Sequence, residues 1–298
     1  MMSRNKRVLA FEFQRMLALC MLFAIIKPAV SLAQLTNLTA ISNAPATQKM
    51  VEQIGQWQFT PARSASQRQT GRFIVYTPPT WDGITKLPML IFLHGAGART
   101  EREDTIEALY KEFFPTLIRQ GKTFDAIVLC PQVSGYWGDE GAQFIDQAID
   151  FYKNQFDHDR LYLTGLSSGG GGTWRAAVLK HDLLAAAVPI CGIRTSTEHD
   201  DQLVNLPIWA FHNKHDPYQK VQYTRDHIHA IGKAGGQYIR YTEYDQTPGK
   251  SHTGKDGQPV FPKCHPHAWE AAYSDDTLWQ WLFAQQRGQP QRALTQHD

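Results

Sequence analysis

Gly165-Leu166-Ser167-Ser168-Gly169 brackets a serine between two glycines at the spacing G-x-S-x-G. The chemistry served by that spacing is attack of a serine hydroxyl on an acyl carbon. Such a serine sits on a sharp turn from strand to helix. Residues two before and two after it pass so close that a side chain on either would collide. Gly165 and Gly169 meet that need around Ser167, whereas Ser168 would be flanked by Leu166 and Gly170, so the frame selects Ser167. Gly170 lets the following helix pack closely on the sheet. Gly171 and Gly172 go beyond what the motif requires.

Acyl transfer also needs N–H donors aimed at the developing oxyanion. One is expected from the residue after the nucleophile, Ser168, and another from the loop after the third strand. That loop reads Leu93-His94-Gly95-Ala96-Gly97, directly after an apolar run, and Ala96 is the first choice of second donor, with Gly97 next. His94 reads as structural.

The elements that must hold these groups are legible as continuous apolar runs, the mark of strands buried on both faces. They fall at 87–95, 125–131, 160–165, 184–192, 206–212 and 237–244, after an alternating segment at 72–78. Amphipathic stretches lie between them near 103–119, 142–154, 170–181 and 219–234, with another at 268–286. Strands alternating with helices predict an α/β fold with a mostly parallel sheet flanked by helices on both faces. The catalytic domain is expected over 71–288, preceded by a polar arm at 34–70 in which a helix is possible near 46–57. A polar tail follows at 289–298. The segment 246–267, rich in Gly, Pro, Lys and His, is a long loop of the kind that is often functional.

LHGAG, DRLYLTGLSSGGGGTW, VPICG, PIWAFHNKHDP and AWEAAYSDDTLWQWLFAQ together resemble the secreted single-domain α/β-hydrolases described as predicted peptidases. These are similar to feruloyl and acetylxylan esterases of the polyhydroxybutyrate-depolymerase-like group. The resemblance covers roughly residues 70–286 and implies the α/β-hydrolase fold and a Ser-His-Asp triad. It places the acid at Asp216, which would fix the histidine tautomer and stabilise the imidazolium; His212 and His215 beside it read as loop residues. The family pattern for the base is His, two residues, then Trp at the start of the last helix. Here Pro266 holds that position, so either His265 or His267 must serve, with His252 a remote third choice. The resemblance implies no metal and no cofactor, and an ester substrate of the polysaccharide-linked, feruloyl or acetyl kind. The alternatives are a serine peptidase, a polyester depolymerase, or, in another class, an inactive hydrolase-fold binding module.

Trp137, in a loop after a strand, reads equally as a substrate-binding residue or as core. Cys191 and Cys264 would both lie near the C-terminal edge of the sheet, either bridged or as buried free thiols. The chain has no CxxC spacing for a metal. Residues 1–33 have a basic start, an apolar run of about 10 residues and a small-residue Ser31-Leu32-Ala33, the layout of an export signal cut after Ala33. That predicts a secreted or periplasmic protein with no membrane association after cleavage. The full chain carries a net +2. Five bases (Arg4, Lys6, Arg7, Arg15, Lys27) and one acid (Glu12) fall in the signal, which leaves −2 for the rest and no basic groove for nucleic acid. The sequence does not specify an oligomeric state.

Overall fold

The computed structural model describes residues 49–61, 68–100, 106–193, 195–245, 252–253, 259–260 and 264–290. The chain divides into Met1–Asn43 and Ala44–Asp298, and all described residues belong to the second unit. The expected export signal therefore lies outside the described residues. Among those residues, no helix is long and apolar enough to cross a membrane.

Eight strands form one sheet: β1 Val51–Phe59, β2 Gln69–Thr77, β3 Leu87–Leu93, β4 Ile127–Pro131, β5 Phe156–Leu166, β6 Ala186–Ile190, β7 Ile208–Asn213 and β8 Ile239–Tyr244. Their order across the sheet is β1-β2-β4-β3-β5-β6-β7-β8. β1 and β2 pair antiparallel, as do β2 and β4; every later pairing is parallel. A two-stranded ribbon, β9 His252–Thr253 with β10 Pro259–Val260, stands apart from it. The helices are α1 Glu107–Tyr110, α2 Phe113–Arg119, α3 Glu140–Tyr152, α4 Ser168–Lys180, α5 Gln222–Lys233, α6 Cys264–Ser274 and α7 Asp276–Ala284.

Burial on both faces follows from the continuous apolar runs. Successive strand residues point to opposite faces. Leu90 and Phe92 of β3 accordingly join one core with Phe114, Tyr273 and Trp279. Met89, Ile91 and Leu93 join the other, with Trp57, Phe144 and Trp174. Every strand run expected from the sequence forms. The amphipathic stretch at 103–119 is split into α1 and α2, and that at 268–286 lies within α6 and α7, which Asp275 separates by capping α7 through the Thr277 N–H at 2.8 Å.

One expectation fails. Residues 51–57 are not helical but belong to β1, whose nine residues pair with β2 from Val51↔Thr77 to Phe59↔Gln69. The second half of the stretch read as a polar arm is thus the edge of the sheet. Trp57 and Phe59 turn inward, and Trp57 donates its indole N–H to the Gln132 carbonyl at 3.2 Å.

Candidate active site

β5 ends at Leu166 and α4 begins at Ser168, so Ser167 alone makes the turn. Its backbone has φ 53° and ψ −115°, a conformation costing on the order of 1–3 kcal/mol in a non-glycine residue. The glycines permit this turn. A Cβ on Gly165 would lie 2.4 Å from the Gly169 carbonyl oxygen, and one on Gly169 would lie 1.9 Å from that of Leu93. The rest of the run is explained by what α4 packs on. A Cβ on Gly170 would reach 2.3 Å from the Ile190 carbonyl oxygen, on Gly171 2.5 Å from the Ile193 side chain, and on Gly172 2.5 Å from the Trp137 side chain. The first turn of α4 is therefore wedged among the ends of β3 and β6 and the Trp137 loop.

The half-buried Ser167 Oγ lies 3.0 Å from His265 Nε2, and His265 Nδ1 lies 2.5 Å from Asp216 Oδ2. Asp216 follows β7, in a turn its own side chain closes: Oδ1 accepts the N–H groups of Tyr218 at 2.8 Å and Gln219 at 2.9 Å. Burial alone would raise its pKa. Hydrogen bonds from His212 and His265, the His265 charge and the Gln219 N–H outweigh burial and hold the carboxyl well below the usual range.

α6 begins at Cys264, so His265 is its second residue and Pro266 its third, inside the first turn where a missing N–H costs nothing. Two positions along a helix are about 200° of rotation. His265 therefore faces Asp216, while His267 turns to Tyr244, edge-on at 5.3 Å, with its buried Nδ1 unpartnered. Of the two candidates, His265 is the one brought to Ser167. The edge of Trp269 at 4.8 Å and the ring of Tyr218 at 5.3 Å confine the His265 imidazole. Tyr218, 63% exposed beside this histidine, carries no signal in the sequence beyond following Asp216-Pro217. The His252 side chain lies outside the described residues.

Ala96 opens a short 3₁₀ turn, Ala96–Ala98, after Gly95. Two side chains fix this loop, the buried His94 and the part-buried Glu112. His94 Nε2 accepts the Val133 N–H at 3.2 Å, so Nδ1 carries the proton and donates to the Gly95 carbonyl at 2.6 Å. In a trans peptide the N–H points opposite the C=O. Holding the Gly95 carbonyl therefore sets the direction of the Ala96 N–H. Burial lowers the His94 pKa to about 4, which keeps the ring neutral. Glu112 accepts the Gly95 N–H at 3.0 Å, and burial pushes its carboxyl up to about 7. Nothing in the sequence marks Glu112.

Trp137 is 5% exposed, packs on Gly172 and donates its indole N–H to the His94 carbonyl at 2.9 Å. Of its two readings the structure takes core; it is not placed to line a substrate cleft. His212 is buried between Thr224 Oγ1 at 2.8 Å and the Gln219 carbonyl at 3.0 Å, and His215 pairs with Asp245 at 2.8 Å. Cys191 is a free buried thiol, so a bridge to Cys264 is not made. Its Sγ points at the His265 carbonyl at 4.0 Å.

Cys191, Asp216 and His265 bring one donor atom each within 4.8 Å of one another, a spacing a metal ion could use. The donor set is unsuited to it. A metal needs the thiolate, and burial, reinforced by the Asp216 charge, raises the Cys191 pKa well above the ordinary thiol value.

No protein-family model matches the chain, and no curated protein matches it in sequence. Among solved structures it is similar to a thermostable esterase, at 26% identity over 78% of this chain and 63% of that one, with a TM-score of 0.58. The chain thus spans less than two thirds of that esterase's length. It also resembles a protein identified as FAE, at 16% identity over 68% of this chain and 83% of that one, with a TM-score of 0.50. An S-formylglutathione hydrolase from Staphylococcus aureus matches at 17% identity over 67% of this chain and 90% of that one, with a TM-score of 0.49. The chain has the α/β-hydrolase fold, which it shares with the thermostable esterase.

Proposed function

We propose that this chain is a serine hydrolase that cleaves carboxylic esters through an acyl-enzyme. The observation that carries the reading is the unbroken hydrogen-bonded path from Ser167 Oγ through His265 to Asp216, ending on a strained and accessible serine. With Nδ1–H donated to Asp216, the neutral ring turns its Nε2 lone pair to Ser167. His265 takes the hydroxyl proton as Oγ attacks the ester carbonyl, and the Asp216 carboxylate, held ionised, stabilises the imidazolium. The N–H groups of Ser168 and Ala96 take the oxyanion; both open helical turns, where N–H groups lack intrahelical acceptors. Collapse of the tetrahedral intermediate expels the alcohol, which receives the proton from His265. Water then repeats the sequence and releases the acid.

The likeness to a thermostable esterase supports the ester bond as target. The motif resemblance supports an acyl group linked to a polysaccharide, and the composition of residues 1–33 supports export with cleavage after Ala33. Purified protein should hydrolyse p-nitrophenyl acetate and feruloyl or acetyl sugar esters, and leave aminoacyl p-nitroanilides and polyhydroxybutyrate largely intact. Faster anilide cleavage would make it a peptidase, and faster polymer cleavage a depolymerase. No turnover of any of them would favour the binding-module reading.

A further inference from the structure

A second carboxylate–imidazole–hydroxyl chain lies beside the first. Asp200 Oδ2 is 2.7 Å from His227 Nδ1, and His227 Nε2 is 2.7 Å from Thr195 Oγ1. Asp200 is 1% exposed and His227 2%. Trp174, from the helix that starts at Ser168, stacks on the His227 ring at 4.4 Å and 11°. Burying a carboxylate costs several kcal/mol unless its partners compensate it. Asp200 Oδ1 also has no hydrogen-bond partner.

Thr195, at the end of this chain, lines a cavity of about 490 Å³ together with Ser196, Thr197, Tyr223 and Asp226. Small-molecule pockets are mostly apolar, but this one has three aliphatic hydroxyls, a phenol and a carboxylate. Such groups match a ligand rich in hydroxyls, not an acyl chain. The relay decides what Thr195 offers. In the tautomer that gives Nδ1–H to Asp200, His227 accepts the Thr195 proton at Nε2. The lone pairs of Oγ1 are then left for a ligand hydroxyl, and Asp226 adds a second acceptor.

The chain that leads to this cavity passes the nucleophile. The Ile193 N–H bonds the Ser167 carbonyl at 3.3 Å, and Thr195 follows two residues later, within about 7 Å of extended chain. A second nucleophile is the other use of such geometry, and the backbone does not favour it. Among the described residues, only Ser167 and Cys191 are non-glycines with positive φ, so Thr195 has no strained elbow.

Resting on the esterase reading, we propose that this cavity binds the sugar residue carrying the scissile ester. Thr195 and Asp226 accept its hydroxyls, and Tyr223 provides aromatic surface. The probe is xylotetraose, titrated into Ser167→Ala protein by calorimetry. Saturable binding is expected, at least tenfold weaker when Thr195→Val or Tyr223→Ala is added and retained with Thr195→Ser. In the otherwise unmutated enzyme, Thr195→Val should lower kcat/KM for acetylated xylo-oligosaccharide at least tenfold relative to p-nitrophenyl acetate, through KM. Absent binding in a protein that hydrolyses p-nitrophenyl acetate overturns the subsite and leaves the esterase standing. Binding that is insensitive to Thr195→Val and Tyr223→Ala, or equal loss on both substrates, also overturns it. Binding that these variants weaken, in a protein inert to every ester, supports the cavity as a sugar site and counts against the esterase reading.

Discussion

Glu112 should make the protein less stable as pH rises from about 4.5 toward neutrality. Its carboxyl is withdrawn from solvent in a residue that is part-buried overall, and it accepts the Gly95 N–H. Its buried neighbours Cys130 and Tyr273 both have raised pKa values, so neither carries a charge near pH 7. Burial lifts the carboxyl from an ordinary 4.5 to about 7. Between those values the folded state holds a proton that the unfolded state has released, so stability is full below about pH 4.5 and is lost as pH approaches 7. At about 1.4 kcal/mol per tenfold change in proton affinity, the loss is on the order of 3 kcal/mol. Glu112→Gln keeps an acceptor for the Gly95 N–H and removes the titration. Urea unfolding of both proteins from pH 4 to pH 8 isolates the effect, because all other groups cancel in the difference. The variant should gain about 3 kcal/mol relative to the parent across that range. Parallel stability curves would mean that Glu112 is hydrated or ionised throughout, and that its hold on the Ala96 loop has been misread.

Further consequences concern the nucleophile turn. Gly169→Ala drives a Cβ to 1.9 Å from a backbone oxygen of β3 and should cost about 3 kcal/mol or more. Gly171→Ala meets the Ile193 side chain at 2.5 Å, which can move, and the Ile193 backbone no closer than 3.3 Å, and should cost about 1 kcal/mol; thermal unfolding separates the two. Ser168→Ala loses a long hydroxyl contact of 3.4 Å to the His94 carbonyl and keeps its backbone N–H. It should retain p-nitrophenyl acetate turnover within about tenfold, a loss on the scale of one hydrogen bond. A loss equal to that of Ser167→Ala would place the nucleophile frame at the wrong serine.

Most of the scaffold was legible because parallel strands covered on both faces must be apolar along most of their length, as 87–93 and 208–211 are. β1 was not, because it is an edge strand with one face toward solvent. Its glutamines at 53, 56 and 58 look like a polar arm, and only Trp57 and Phe59, two apart, signal an inward face. Ser167 follows from the glycine frame. The choice between His265 and His267 depends on where α6 begins. The helix starts at Cys264, two residues before Pro266, and turns the two rings away from each other. Glu112 and the Asp200–His227–Thr195 chain could not be read, since their partners are 17 to 32 residues away and no local spacing marks them.

The central claim is that Ser167 is activated by His265 and not by His267. Its most direct measurement is the rate of labelling by a fluorophosphonate, with the modified peptide mapped. The unmutated protein should label at Ser167 alone, and Ser167→Ala should not label. His265→Ala should slow labelling by several orders of magnitude, as loss of a triad member does, and His267→Ala should leave it within a few fold. Rapid labelling of His265→Ala, or no labelling of the unmutated protein, would contradict the account.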